Sequence, residues 1–304
     1  MANLNGNSLP RQFLAQDADI LPPSDDRIFK VLLTHPDAKQ VLIDIVSTVI
    51  ERKVVEVQLR NTELPAMDIN EKAERFDINC TIDNGDQSGN EDLRDQVDVE
   101  MHCSRIEEEN GNNRKNFLNK YTYYMTDLHS SQKSKGVAYE DLVRTYQVTF
   151  SIFTVFPQIP DFVSRFTMRT SKGIQLNDQI NMVLIELSKL DDILKKPVDQ
   201  LSSFEKWSLF LKYAPDPGHR DKINDIIKEK KEIGMAATLL QEISKDENER
   251  AHFRSRRMYE TDMESNRIVC ERRGEKRSDA KWKGVIAEKD AMISKLLAEL
   301  EQKT

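Results

Sequence analysis

The chain has little of what would mark a secreted, membrane-spanning or zinc-stapled protein. Its three cysteines, Cys80, Cys103 and Cys270, form no C-x-x-C and cannot all pair, which excludes a disulfide framework and a thiolate metal knuckle. No apolar run approaches the roughly 18 residues needed to span a bilayer. Residues 1–23 are polar, with Asn, Gln and Pro, and lack the basic and apolar regions of a signal peptide. No helix-turn-helix or zinc module is present to read a DNA sequence. The expectation is a reduced, soluble, cytoplasmic protein with no membrane partner. At 304 residues it is long enough for one main domain plus extensions.

Charge is unevenly spread. The net charge is −7, yet residues 86–109 carry nine acidic and two basic side chains, whereas residues 250–289 carry twelve basic and seven acidic ones. Whole-chain charge therefore does not decide whether nucleic acid is a partner.

Two segments alternate with period two, the signature of a half-buried strand. In the first, Phe76, Ile78, Cys80 and Ile82 alternate with Arg75, Asp77, Asn79 and Thr81. In the second, Val97, Val99, Met101 and Cys103 alternate with Asp98, Glu100 and His102. Pairing as a hairpin would place Asp77, Glu100 and His102 on one solvent-facing surface. Carboxylates brought that close repel unless a cation or a shared proton holds them, so the pattern suits a divalent-metal site for hydrolysis. The plain alternative is two exposed carboxylates paired with Arg75 or Lys72.

Around these strands the sequence predicts a disordered tail over 1–23 and a short helix through Phe29 and Leu32, capped by Ser24 or Asp25. An apolar helix over 41–50 and a strand over 54–59 follow. An acidic, turn-rich loop over 84–96 separates the carboxylate strands. Phe117, Tyr121, Tyr124 and Leu128 recur at helical spacing over 113–131, ending near Gly136. Strands are expected over 146–156 and 181–187, and helices beyond. The domain reading is a tail at 1–23, a main domain at 24–190, a helical domain at 191–245 and a charged helical tail at 246–304. In that tail Ile286, Ile293, Leu296 and Leu300 give a short near-heptad seam, a possible coiled coil and homo-oligomer contact.

Several strings in order carry a resemblance: Asp26-Arg-Ile-Phe29-Lys30, the Asp77 strand, Val99-Glu100-Met101, Lys120-Tyr-Thr-Tyr-Tyr124, His129-Ser-Ser-Gln132, Gly136-Val-Ala-Tyr139 and Ile185-Glu-Leu-Ser-Lys189. Together they resemble the Rpn family of recombination-promoting nucleases, or putative transposases, of the PD-(D/E)XK superfamily. The likeness runs from about 25 to 189 and, more loosely, to Gly274. It implies an α/β fold, a mixed sheet with a restriction-endonuclease-like core of order αβββαβ and a helical C-terminal extension. It also implies a Mg²⁺-dependent (Mn²⁺ possible) endonuclease that hydrolyses DNA phosphodiesters in recombination or mobile-element biology. The metal-binding acids map onto Asp77 and Glu100, and a carbonyl such as that of Met101 could add a ligand. Where the superfamily usually has Lys, and Rpn-like sequences commonly Gln, this chain has His102; the family's helix Arg appears as Lys120. These two would polarise water or phosphate, completing a catalytic set of Asp77, Glu100, His102 and Lys120. The alternative is a nuclease-fold remnant, weakly active or inactive, serving as a nucleic-acid-binding or oligomerising module.

Lesser candidates have bland readings beside them. Asp26 reads first as a helix cap and Glu63 as an outer ligand by position alone. The Tyr121–Tyr123–Tyr124 cluster reads as helix packing, and Glu186 with Lys189 as a structural pair. Gln132 and Lys133 either approach a phosphate or face water. The basic residues from Arg254 to Arg257 and from Arg272 to Arg277 read as a solvated helix, with nonspecific backbone binding as the other use.

Overall fold

The computed structural model describes residues 13–60, 63–64, 74–75, 77–83, 94–103, 112–132 and 138–301. Expectations for Phe76, Lys133, Gly136 and residues 84–93 of the acidic loop lie outside these.

Helix α1 (Asp26–Thr34) begins at Asp25, whose carboxylate accepts from the main-chain N–H groups of Arg27 and Ile28. Asp25 rather than Asp26 is therefore the cap. Helix α2 (Lys39–Ile50) ends where Glu51 turns left-handed at φ 57°. Then come β1 (Glu56–Leu59), the two-residue strands β2 (Glu63–Leu64) and β3 (Glu74–Arg75), β4 (Ile78–Asp83) and β5 (Asp95–His102). Helix α3 (Asn112–Ser130), β6 (Thr145–Ser151), β7 (Val163–Thr167) and β8 (Ile180–Glu186) complete the sheet region.

Six of these strands form one mixed sheet in the order β1-β4-β5-β6-β8-β7. The β4–β5 pair is antiparallel and β5–β6–β8 run parallel. Parallel neighbours require a crossover, and α3 is the crossover between β5 and β6. Strand β7 was not expected. It is a short edge strand with only one buried residue, Ser164, so it carries little periodic signal.

The strand expectation needs one correction. Asp98 and Glu100 do not face solvent: residues 78–82 of β4 are all buried, and in β5 only Gln96 and His102 are partly exposed. Both faces of the sheet are covered. Ile78, Cys80, Val97, Val99, Val148 and Phe150 share one face, against which α1 packs through Phe29 and Phe150, ring centroids 5.6 Å apart. The other face is a polar grid. Thr81, Gln96 and Thr145 lie side by side, then Asn79, Asp98 and Gln147, then Glu100 and Thr149, then His102 and Ser151. Helix α3 lies over this face, its Phe117 and Tyr121 packed with Met182 and Leu184. Alternation correctly separated apolar from polar residues, but polar does not here mean wet.

At the end of β8, Glu186 is fully buried. Its Oε1 accepts from the N–H groups of Val155 and Phe156, and its Oε2 meets Lys189 Nζ at 2.6 Å. That carboxylate turns the chain after Ser151, which is why the strand expected to 156 stops there. The pair is structural, as its sequence reading had it.

Helices α4 (Asp191–Lys195), α5 (Ser203–Tyr213), α6 (Arg220–Glu229) and α7 (Lys231–Lys245) follow. They do not stand apart as a 191–245 domain. Asp44 of α2 accepts from Trp207 Nε1 at 2.6 Å and pairs with Lys230 at 2.8 Å, and residues 1–246 form one unit. The tail reading is also corrected over 13–23. Leu14, Ile20 and Leu21 are buried. The Leu14 N–H donates to Asn224 Oδ1, the Leu21 N–H to Ser244 Oγ, and buried Arg220 donates to Ala18 O. Hydrophobic side chains spaced six residues apart give no periodic signal, which hid this arm.

The second unit is α8 (Glu247–Glu301), a single 55-residue helix. Its basic residues alternate with acids, and Arg267 bridges Glu264 and Glu271. No helix among the described residues is long and apolar enough to cross a membrane.

Leu14→Ala should lower the unfolding free energy by about 2–5 kcal/mol, the usual cost of a buried Leu truncation. Urea unfolding tests this. A disordered tail would leave the midpoint unchanged.

Candidate active site

Asp77 stands one residue before β4 and Glu100 lies near the end of β5, which brings them together at one end of the grid. They clasp each other through the main chain. The Asp77 N–H donates to Glu100 Oε1 at 2.9 Å, and the Met101 N–H donates to Asp77 Oδ2 at 3.1 Å. Asp77 Oδ1 and Glu100 Oε2 are the oxygens these amides leave over.

Helix α3 supplies the cation. Lys120 Nζ lies 3.8 Å from Glu100 Oε2, with its side chain 41% exposed. The ammonium also sits 4.7 Å from the Tyr121 ring centroid and 5.0 Å from that of Tyr124. These π-faces steer the flexible side chain toward the carboxylate. His102 is held from the same helix. Its Nδ1 is 3.1 Å from the Tyr121 hydroxyl, and the Phe117 ring meets it edge-on at 4.7 Å.

Burial is the leading influence on the acids. It raises Asp77 above the usual carboxylate range, opposed by the Met101 N–H and by Lys30 and Lys120, and reinforced by Asp26. It pushes Glu100 up to about 8, with Asp77 adding and Lys120 subtracting. Asp98, two residues before Glu100 and fully buried, is raised well above the ordinary range, first by burial and then by Glu100. Its Oδ2 accepts from Gln147 Nε2 at 2.7 Å, and its Oδ1 has no hydrogen-bond partner among the described residues.

Four carboxylates, those of Asp26, Asp77, Asp98 and Glu100, therefore act on one another, against two ammonium groups, those of Lys30 and Lys120. Fully ionised, the set has an excess of two negative charges. Hard oxygen donors with that excess fit a divalent cation such as Mg²⁺. Among the described residues no cluster of three His, Cys, Asp or Glu side chains is arranged to hold a metal. The two carboxylates would leave the other positions to main-chain oxygen, water and substrate.

The geometry thus unites Asp77, Glu100, His102 and Lys120. It removes Gln132, which donates to Thr145 Oγ1 and the Val143 carbonyl and receives the Val143 N–H, tying α3 to the start of β6. The main chain of Glu63 lies in the β2–β3 pair opposite Arg75. Asp98 and Lys30 were not singled out from sequence. Asp98 could have been: its i−2 offset from Glu100 puts both on one face of a strand.

The description of PD-(D/E)XK nuclease family transposases matches residues 23–267. The chain belongs to that family. No curated protein and no solved structure matches it. Membership in the PD-(D/E)XK nuclease family transposases supports a nuclease- or transposase-like role, and the mixed sheet with flanking helices is consistent with the family's fold.

The raised acids make a signed prediction for this family member. With Glu100 lifted to about 8, the metal-free folded chain holds more protons than the unfolded chain between about 4.5 and 8. Stability contributed by this group should therefore fall as pH rises through that window. Glu100→Gln should flatten the fall, read as melting temperature against pH in EDTA. An unchanged profile would show that Glu100 is not the titrating group.

Proposed function

We propose that this chain is a divalent-metal-dependent endonuclease that hydrolyses DNA phosphodiester bonds, with Asp77 and Glu100 as the metal-holding carboxylates. The observation that carries the reading is the clasped, desolvated pair, each carboxylate with one oxygen outside the clasp and a lysine beside that of Glu100. Mg²⁺ is the expected ion and Mn²⁺ a working substitute. When bound, the ion supplies Lewis acidity to the phosphate and lowers the pKa of a coordinated water.

The chain's own residues do the rest. The amides of Asp77 and Met101 fix the carboxylates before substrate arrives, so little reorganisation is needed on binding. Lys120 supplies the fixed positive charge that the superfamily usually takes from a strand lysine, here projected from α3. It stands where it can face a phosphate oxygen or hold the attacking water. His102, its Nδ1 held by the Tyr121 hydroxyl, brings an imidazole to the same sheet face as Glu100, a group able to orient a water or take a proton. With Tyr121 buried and its hydroxyl held to His102, the histidine orientation is set from behind. The seam of α8 supports a homo-oligomer contact as part of this reading, and recombination or element mobility is the setting that the family supports.

Plasmid nicking by the full chain with Mg²⁺ or Mn²⁺ tests the proposal. Asp77→Ala and Glu100→Ala should each abolish metal-dependent cutting, and Lys120→Met should slow it about 10²–10³-fold, the range for loss of one transition-state partner. Cutting that survives both carboxylate substitutions would remove the site. No cutting by the unaltered chain with any divalent ion would leave the binding-module alternative.

A further inference from the structure

Helix α3 closes one side of the site, and its outward face has an unusual composition. From 112 to 126 it contains no Asp or Glu, its one carboxylate coming two turns past Lys120 at Asp127, and it has Arg114, Lys115 and Lys120 and four asparagines. With 52 acidic residues in 304, even spreading would put about two or three in a stretch of this length. Lys115, Asn116, Asn119, Lys120 and Tyr123 are all exposed. Spacings of three and four residues align Asn116, Asn119, Lys120 and Tyr123 along one stripe. No described hydrogen bond or ion pair engages the side chains of Lys115, Asn116 or Asn119.

The buried face of the same helix holds Phe117 and Tyr121 against His102. Lys120 belongs to both faces, 3.8 Å from Glu100 and yet 41% exposed. The stripe therefore runs past the lysine of the proposed site and extends about one turn to either side of it. Lys115 to Tyr123 spans about 12 Å at 1.5 Å per residue, enough to pass more than one phosphate of a strand. Lysine, asparagine and tyrosine are side chains that hydrogen-bond phosphate oxygens without reading bases. Helix α8 has more basic residues in all, but acids are interleaved with them and Arg267 is spent on Glu264 and Glu271. The acid run Glu107–Glu109 precedes α3 in sequence and lies outside the described residues.

We propose that the exposed stripe of α3, carried by Lys115, Asn116 and Asn119, is the surface on which the backbone of duplex DNA lies as it enters the site, holding phosphates next to the scissile one. The inference rests on the nuclease reading for the position of the scissile bond. Contact there would be with the backbone, so the chain would hold DNA of any sequence.

The test is fluorescence anisotropy of a labelled 20-base-pair duplex with the full chain in EDTA, across a salt series. A Lys115→Glu, Asn119→Asp variant is compared with an Arg272→Glu, Arg273→Glu variant on α8. Each is also assayed with Mn²⁺ on bis(p-nitrophenyl) phosphate, a phosphodiester too small to reach the stripe. The α3 variant should bind duplex at least 10-fold more weakly. Its salt slope should be shallower by about one, as expected for one lost phosphate contact. Its melting temperature and small-phosphodiester hydrolysis should be unchanged, and the α8 variant should bind as the parent does. Unchanged duplex binding by the α3 variant, an equal loss in the α8 variant, or no duplex binding by the parent overturns the inference. If the parent fails to hydrolyse the small phosphodiester while duplex binding still depends on α3, the nuclease reading fails and the binding surface stands.

Discussion

Everything about this site turns on the exchange of main-chain hydrogen bonds between two acids that should repel. The Asp77 carboxylate takes the amide next to Glu100, and the Glu100 carboxylate takes the amide of Asp77. Each bond offsets part of the cost of bringing a carboxylate out of water, and each fixes one oxygen while leaving another over. The offset is incomplete, because Glu100 is still raised to about 8 and Asp77 is raised as well. A protein stabilised only for its own sake would bury apolar groups at these positions. The remaining unfavourable charge is what a divalent cation would relieve, and that connects the electrostatics of the fold to a use for it.

The burial that creates this tension comes from α3. The β5–β6 crossover must return the chain over one sheet face, and the helix that does so covers a polar grid rather than an apolar one. Such a face could not be left as a simple core. Gln147 answers Asp98, Gln132 answers Thr145, and Tyr121 answers His102. Helix packing and site chemistry are thus one arrangement, since Tyr121 fills the core with its ring and orients the histidine with its hydroxyl.

The period-two pattern made much of this legible. It separated the two sheet faces correctly, and it put Asp77 and Glu100 together on one of them. The resemblance added Lys120, a residue whose sequence distance from Glu100 hides a 3.8 Å contact. What remained hidden depended on third elements. Alternation cannot report whether a helix will cover the polar face, so burial of Asp98 and Glu100 was missed. Leu14, Ile20 and Leu21 are too widely spaced to show a period, and their places are fixed by Asn224 and Ser244 more than 200 residues away. Strand β7 lies at an edge, where one buried residue suffices and the sequence is nearly free to vary.

The exchange of a strand lysine for His102 has a physical counterpart elsewhere in the site. A lysine at 102 would place a second ammonium beside Lys120, against Tyr121 and the edge of Phe117, where a flat ring now fits. Histidine meets that packing and leaves the fixed positive charge to the helix. The Lys120 ammonium rests over two tyrosine faces, with its side chain 41% exposed. The strand thus carries a hydrogen-bonding ring at 102 and the helix a cation at 120. From 112 to 126 the same helix carries no carboxylate, and an acid one turn from Lys120 would compete with phosphate for it.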